Sequence, residues 1–271
     1  MELSKYALEI LREGREFDLY RGRQSGCPSV LVLSPGHDGR HAVKVEHLQR
    51  EYALAAELDP SWALRPLALA RLDGGTVLVL EDPGGHPLDS ELSGRPLEMS
   101  HGLRIAVSLA AALRKVGARG LIHKDIKPSN VFVAADGHVR LSGFGLASHL
   151  PREHQTPADP EKIAGTLAYM APEQTGRMNR SLDARSDLYA LGVTLYELFT
   201  GVLPFSATDA MSWIHCHIAR APTAPSAHTP DMPRVLETIL LRLLAKNAED
   251  RYQTAAGVEA DLQRCLDHFS V

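Results

Sequence analysis

Cysteine is scarce in this sequence: 271 residues hold three, at Cys27, Cys216 and Cys265. They are odd in number, far apart and outside any C-x-x-C. That argues against a disulfide framework and fits a reducing compartment. Excess charge is lacking too. Lys and Arg total 29 against 33 Asp and Glu, a net charge of -4, so nothing points to nucleic acid or an anionic membrane surface. Long apolar runs are missing. The longest, Ile105 to Leu113, is too short to span a bilayer. Met1-Glu-Leu-Ser-Lys5 has neither a basic n-region nor an apolar core, so no signal peptide is expected. No internal repeat or low-complexity tract is present. What remains is a chain that is 44% hydrophobic, enough for a real core, and long enough for one large or two small domains. The expectation is a cytoplasmic, soluble domain.

Read in order, the chain begins with strands. Phe17 to Arg21 alternates, Ser25-Gly-Cys-Pro28 is turn chemistry, and Ser29 to Leu33 is a second, more apolar strand. From Arg40 to Leu58 the apolar residues Ala42, Val45, Leu48, Tyr52, Ala55 and Leu58 recur at helical spacing. Ala63 to Ala70 and Thr76 to Leu80 read as strands, and residues 82–86 as a connector. Beyond it the pattern turns helical. Leu103 to Val116 forms one amphipathic helix with Ser100 as its N-cap, and Leu188 to Thr200 a strongly apolar one. Further helices are expected over 208–219, 234–246 and 254–267, while 146–172 is loop-like.

Between the second and third helical stretches lies L-I-H-K-D-I-K-P-S-N, from Leu121 to Asn130. It places His123, Asp125, Lys127, Pro128 and Asn130 at the offsets of the loop H-x-D-x-x-x-x-N. After a short hairpin, Leu141-Ser-Gly-Phe-Gly145 follows, and then Ala171-Pro-Glu173. Asp187 lies in Arg185-Ser-Asp-Leu-Tyr189 and Arg251 in Glu249-Asp-Arg-Tyr252. In this combination the chain resembles a protein kinase, and the resemblance is most specific from 121 to 265. The runs Gly165 to Arg180 and Leu244 to Tyr252 further resemble the N-terminal Ser/Thr kinase domain of bacterial hybrids that continue into ATPase, sensor and histidine kinase modules. That leaves open an excised domain or a stand-alone relative.

The resemblance implies an α+β, bilobal fold: a small antiparallel β-rich N-lobe with one helix over 1–81, a hinge over 82–86, and a larger, mainly helical C-lobe over 87–271. It implies ATP and magnesium as cofactors. Asp125 would accept the substrate hydroxyl proton, Lys127 would sit near the transferring phosphate and Asn130 would hold magnesium. Glu51, Glu81 and, weakly, Gly14 would belong to the nucleotide site. His123, Phe144, Glu173, Asp187 and Arg251 would be structural supports, with Arg251 pairing Glu173. Thr166 resembles the residue that helps select a hydroxyl-bearing substrate, and Thr156 is a candidate phosphosite.

Two expected groups are missing. Gly143 stands where D-F-G has its metal-binding Asp. The strand Lys that grips phosphates and pairs with a helix Glu has no clear counterpart. Lys44, in His41-Ala-Val-Lys-Val45, mimics the V-A-I-K motif, but it lies only seven residues before Glu51. A strand end, a loop and about two helical turns do not fit in that interval. Lys44 therefore reads as a solvated helix lysine, nucleotide-binding only if the strand is placed differently. The preferred alignment puts Leu31 at the lysine position. His215 and His217 could ligate a metal, but i and i+2 on a helix face apart. The expectation is a pseudokinase that binds Mg–ATP weakly or not at all and acts through another signalling protein or further domains of a longer chain. The alternative is a weakly active Ser/Thr kinase with Asp125 as base.

Overall fold

The computed structural model describes residues 2–36, 41–149, 153–154, 166–178 and 180–269. Thr156 lies outside them. The chain divides into two compact units, Met1–Ser90 with Asn130–Leu146 and Glu91–Ser129 with Ala147–Val271.

The first unit is built on an antiparallel sheet of five strands: β1 (Ala7–Arg12), β2 (Phe17–Arg23), β3 (Val30–Pro35), β4 (Pro66–Leu72) and β5 (Gly75–Glu81), in the order β1-β2-β3-β5-β4. The period of two in β3 and β5 sorts their side chains by shape. Leu31, Leu33, Leu78 and Leu80 enter one core with Leu19, Leu48, Leu64 and Phe132. Val30, Val32, Val77 and Val79 enter another with Leu3. Burial on both faces is why β3 reads as a continuous apolar run rather than an alternating one. Sequence reading missed β1. It is an edge strand, paired with β2 and with no buried residue, so Ala-Leu-Glu-Ile-Leu-Arg carries no clean period.

Helix α1 (His41–Ala53) follows β3. The apolar spacing found part of its buried face, Leu48 and with it Glu51, three residues on. Ala42 and Tyr52 are exposed, and the buried stripe is Lys44, Leu48 and Glu51, at i, i+4 and i+7. What the spacing missed is Lys44, a charged residue that it left to solvent. A second, three-stranded sheet joins β6 (Gly85–Pro87), β7 (Val131–Ala134) and β8 (Val139–Leu141) within the same unit. The connector after β5 is tied down by Arg21, which donates to both carboxylate oxygens of Asp82 at 2.7 and 3.1 Å and to Gly85 O at 2.8 Å. Burial pushes the Asp82 carboxyl up, but hydrogen bonds from Arg21, Ser29 and Gly84 outweigh it and hold the pKa below its ordinary value.

The second unit is helical: α2 (Met99–Ala118), α3 (Ala184–Thr200), α4 (Ala210–Ala219), α5 (Arg234–Leu243) and α6 (Ala255–Phe269). The cap of α2 is Glu98 and not Ser100. Its carboxylate accepts the N–H groups of Ser100 and His101 at 2.9 and 2.8 Å, and the Ser100 hydroxyl at 2.8 Å. A carboxylate at this end also meets the positive pole of the helix. α3 is buried along nearly its whole length and is capped by Asp183, which accepts Arg185 N–H at 2.8 Å. No helix among the described residues is long and apolar enough to cross a membrane.

Candidate catalytic site

In the second unit the loop from Leu121 is held from below by the first turn of α3. The buried Asp187 carboxylate accepts His123 N–H at 2.7 Å and Lys124 N–H at 2.8 Å. Burial raises its pKa to about 6, against the two backbone donors that favour the ion. Between those donors Lys124 adopts φ +69°, uncommon for a side-chain-bearing residue. Its carbonyl is in turn fixed by Gln174 Nε2–H at 2.8 Å. Strain of this kind persists only where neighbours over-determine it, and here three bonds do so. His123 is fully buried, and its Nδ1 accepts Asp125 N–H at 3.2 Å.

The backbone so fixed presents Asp125 to Lys127. The Lys127 ammonium lies 2.9 Å from Asp125 Oδ2 and donates to Thr166 Oγ1 at 2.6 Å. A carboxylate, an ammonium and a hydroxyl thus meet in one place. Behind them, Glu173 and Arg251 form a buried bidentate pair at 2.7 and 2.9 Å. Arg251 is fully buried, and its remaining donors go to the carbonyls of Ala245, Arg185 and Lys246. Ser186 Oγ–H donates to the same Glu173 at 2.7 Å.

The first unit holds the remaining expected residues. Leu31 sits on β3, opposite Arg21 and Leu80, and is fully buried in the leucine core. Glu51 is buried on α1, and its Oε1 accepts Gly143 N–H at 2.9 Å. Gly143 has φ +82°, and a Cβ built there would lie 2.5–2.8 Å from the Asn130 carboxamide. Asn130 O accepts Ser142 N–H at 3.0 Å. Phe144 is fully buried and meets Trp62 edge-on at 6.0 Å. Glu81 ends β5. Its N–H donates to Arg65 O at 2.9 Å, and its carboxylate lies 3.3 Å from Arg65 Nε.

Lys44 corrects the reading of a solvated lysine. It is on a helix, as its spacing requires, but it is 4% exposed. Its Nζ donates to Arg15 O at 2.9 Å and Gly36 O at 3.0 Å. Those carbonyls belong to the β1–β2 turn and to the exit from β3. The same turn is tightened by Gly14 N–H to Asp18 Oδ1 at 2.9 Å and Gly36 N–H to Glu16 O at 2.9 Å. Any side chain at Gly14 would strike Phe17 O, 2.3 Å from a built Cβ. Burying an ammonium needs acceptors, and here backbone carbonyls supply two of them. No pattern in the sequence marks carbonyls from two separate loops. His215 is exposed whereas His217 is buried, and no cluster of potential metal-binding side chains occurs among the described residues.

The protein kinase domain family model matches residues 36–263. The chain belongs to the protein kinase family. The kinase domain is 33% identical to serine/threonine-protein kinase pkn3 of Myxococcus xanthus, over 96% of this chain and 49% of that relative. It is 38% identical to Pkn1 of the same organism, over 72% of this chain and 28% of the relative. It is 36% identical to PknB of Mycobacterium tuberculosis, over 62% and 27%. The matches thus span between about a quarter and a half of these relatives' length. The family uses ATP and magnesium. Sequence reasoning found most of the loop residues but passed over Gln174 and took His217 only as a weak metal ligand. Both are buried polar residues, a class that periodicity does not flag.

Proposed function

We propose that this kinase domain is an impaired phosphotransferase, a pseudokinase, that works in signalling through protein contacts. Its partner would be another signalling protein or further domains of a longer polypeptide. The observation that carries this is the contact between Glu51 and Gly143 N–H. It joins the residue whose strand lysine is missing to the residue that replaced the metal-binding carboxylate. A magnesium ion bridging phosphates needs an anionic oxygen that Gly143 lacks, and the space at its Cα is taken by the Asn130 carboxamide. A phosphate grip on β3 needs a cation, and Leu31 is apolar and sealed in the core. These residues do not fit Mg–ATP, and binding is expected to be weak or absent.

A second reading, a weakly active Ser/Thr kinase, is favoured by one arrangement: Asp125, Lys127 and Thr166 are already in contact. In that case Asp125 accepts the proton of a substrate hydroxyl and Lys127 steadies negative charge beside it. Transfer of labelled phosphate to a Ser/Thr-rich protein separates the two. The pseudokinase reading expects no transfer above that of the Asp125→Ala variant. Transfer that Asp125→Ala abolishes would establish the weak kinase instead.

A further inference from the structure

His217 is a buried titratable group that the site described above does not use. It lies on α4, is 1% exposed, and is enclosed by rings. Trp213 stacks on it at 5.9 Å, while Phe205 and Tyr189 meet it edge-on at 5.4 and 5.6 Å. Each ring nitrogen has one partner: Nδ1 lies 2.9 Å from Tyr189 Oη and Nε2 lies 2.8 Å from Leu167 O. Chemistry fixes the direction of one of these bonds, and the burial of the ring that of the other. A carbonyl oxygen only accepts, so Nε2 carries the proton and donates to Leu167. Enclosure disfavours imidazolium and brings the pKa down to about 4, with Lys246 adding to the shift. The ring is therefore neutral, Nδ1 accepts, and Tyr189 O–H donates. Lys246 Nζ donates to Tyr189 Oη at 3.5 Å and to Cys216 O at 3.0 Å. Every bond in this chain points the same way, from Lys246 through Tyr189 and His217 to the carbonyl of Leu167.

Leu167 is the residue after Thr166. The turn Leu167–Tyr169 is tethered at three points, each from a different part of the second unit. Thr166 Oγ1 accepts from Lys127 in the catalytic loop, Leu167 O accepts from His217 on α4, and Tyr169 O–H donates to Glu197 on α3 at 2.5 Å. The turn's own backbone supplies, among the described residues, Tyr169 N–H to Thr166 O at 2.9 Å and Met170 N–H to Leu167 O at 3.3 Å. A single three-residue turn of this type is weak by itself, so its place depends on the tethers.

We infer that His217 is a positioning residue: it fixes the 166–169 turn and so keeps the Thr166 hydroxyl on Lys127, beside Asp125. What that turn presents, a hydroxyl-bearing substrate or a docking partner, rests on the functional reading above. The positioning itself does not. Only the Nε2–H donor is required for it, so glutamine, whose amide N–H can reach the same carbonyl, is the conservative replacement. Phenylalanine keeps the ring and removes both bonds.

Hydrogen exchange followed by mass spectrometry on the nucleotide-free domain tests this without reference to transfer or nucleotide binding. His217→Phe should raise exchange over residues 167–170 by roughly five- to tenfold, the loss of one hydrogen bond, and leave the α3 segment 190–200 unchanged. His217→Gln should restore most of the protection. Tyr189→Phe removes the donor to Nδ1, together with the long bond from Lys246, keeps the Nε2–H of His217, and should give an intermediate rise in the same segment. Should His217→Phe not fold, the Tyr189→Phe measurement decides. In the wild type, nitrogen chemical shifts should report the Nε2–H tautomer of His217 from pH 8 to about 5, as its buried neutral ring requires. Unchanged exchange at 167–170 in both Phe variants, or a Gln variant as loose as His217→Phe, would overturn the inference and leave His217 a packing residue.

Discussion

A carboxylate restored at position 143 would enter a place already taken. The Gly143 backbone is at φ +82°, and the Asn130 carboxamide lies against the position of its absent Cβ. Gly143→Asp is therefore expected to lower stability by about 1–3 kcal/mol in urea denaturation, because the backbone is unfavourable and Asn130 must turn away. Pairing it with Asn130→Ala should recover a large part of that loss, a coupling that independent sites would not show. Lys44 is the other residue whose role changed. It reads as an ordinary surface lysine, yet it bonds two carbonyls from inside the fold. Lys44→Met keeps the stem and removes the donors. It should destabilise the domain by about 1–3 kcal/mol, because the buried carbonyl of Gly36 and the half-buried one of Arg15 lose an N–H partner. A variant as stable as wild type would mean the ammonium adds nothing to the β1–β2 turn.

At the level of elements, the buried pair that joins Glu173 to Arg251 sets the expectation. Glu173→Gln leaves a fully buried guanidinium without its counter-ion and should cost about 3–5 kcal/mol, measured by the same denaturation. Acid dependence belongs to α4. His217 has a folded pKa of about 4 against an ordinary 6.5, so its contribution is present above pH 6.5 and is lost as pH falls toward 4. Asp187, raised by burial to about 6, has the opposite slope: its contribution is present below 3.8 and lost as pH rises through 6. Comparing wild type with His217→Gln isolates the histidine. The stability difference between the two proteins should shift against wild type by up to about 3 kcal/mol between pH 6.5 and 4. A pH-independent difference would mean that His217 is not held neutral by its surroundings.

These elements also show what could be read beforehand. The catalytic loop, Asp187, Glu173 and Arg251 were legible because each is a distinctive residue at a fixed offset from others. The β3 leucines were legible because both faces of that strand are apolar. The burial of Lys44 on α1 was not, since the carbonyls it bonds come from two separate loops. Nor was β1, an exposed edge, or the Glu98 cap, which lies two residues ahead of the serine that looked like one.

On the scale of the whole molecule the two units differ in what they retain. The second keeps Asp125, Lys127 and Thr166 in contact on a clamped loop. The first has Leu31 sealed in its leucine core and a glycine at 143, with Glu51 bonded to the Gly143 backbone. A protein that binds a ligand only when folded is stabilised in proportion to the ligand's affinity. Thermal unfolding of the domain with increasing ATP, with and without magnesium, therefore measures the proposed loss directly. The account predicts that millimolar ATP shifts the Tm by less than about 1 °C and that magnesium adds nothing. A magnesium-dependent rise of several degrees would contradict it and place a working nucleotide site in this domain.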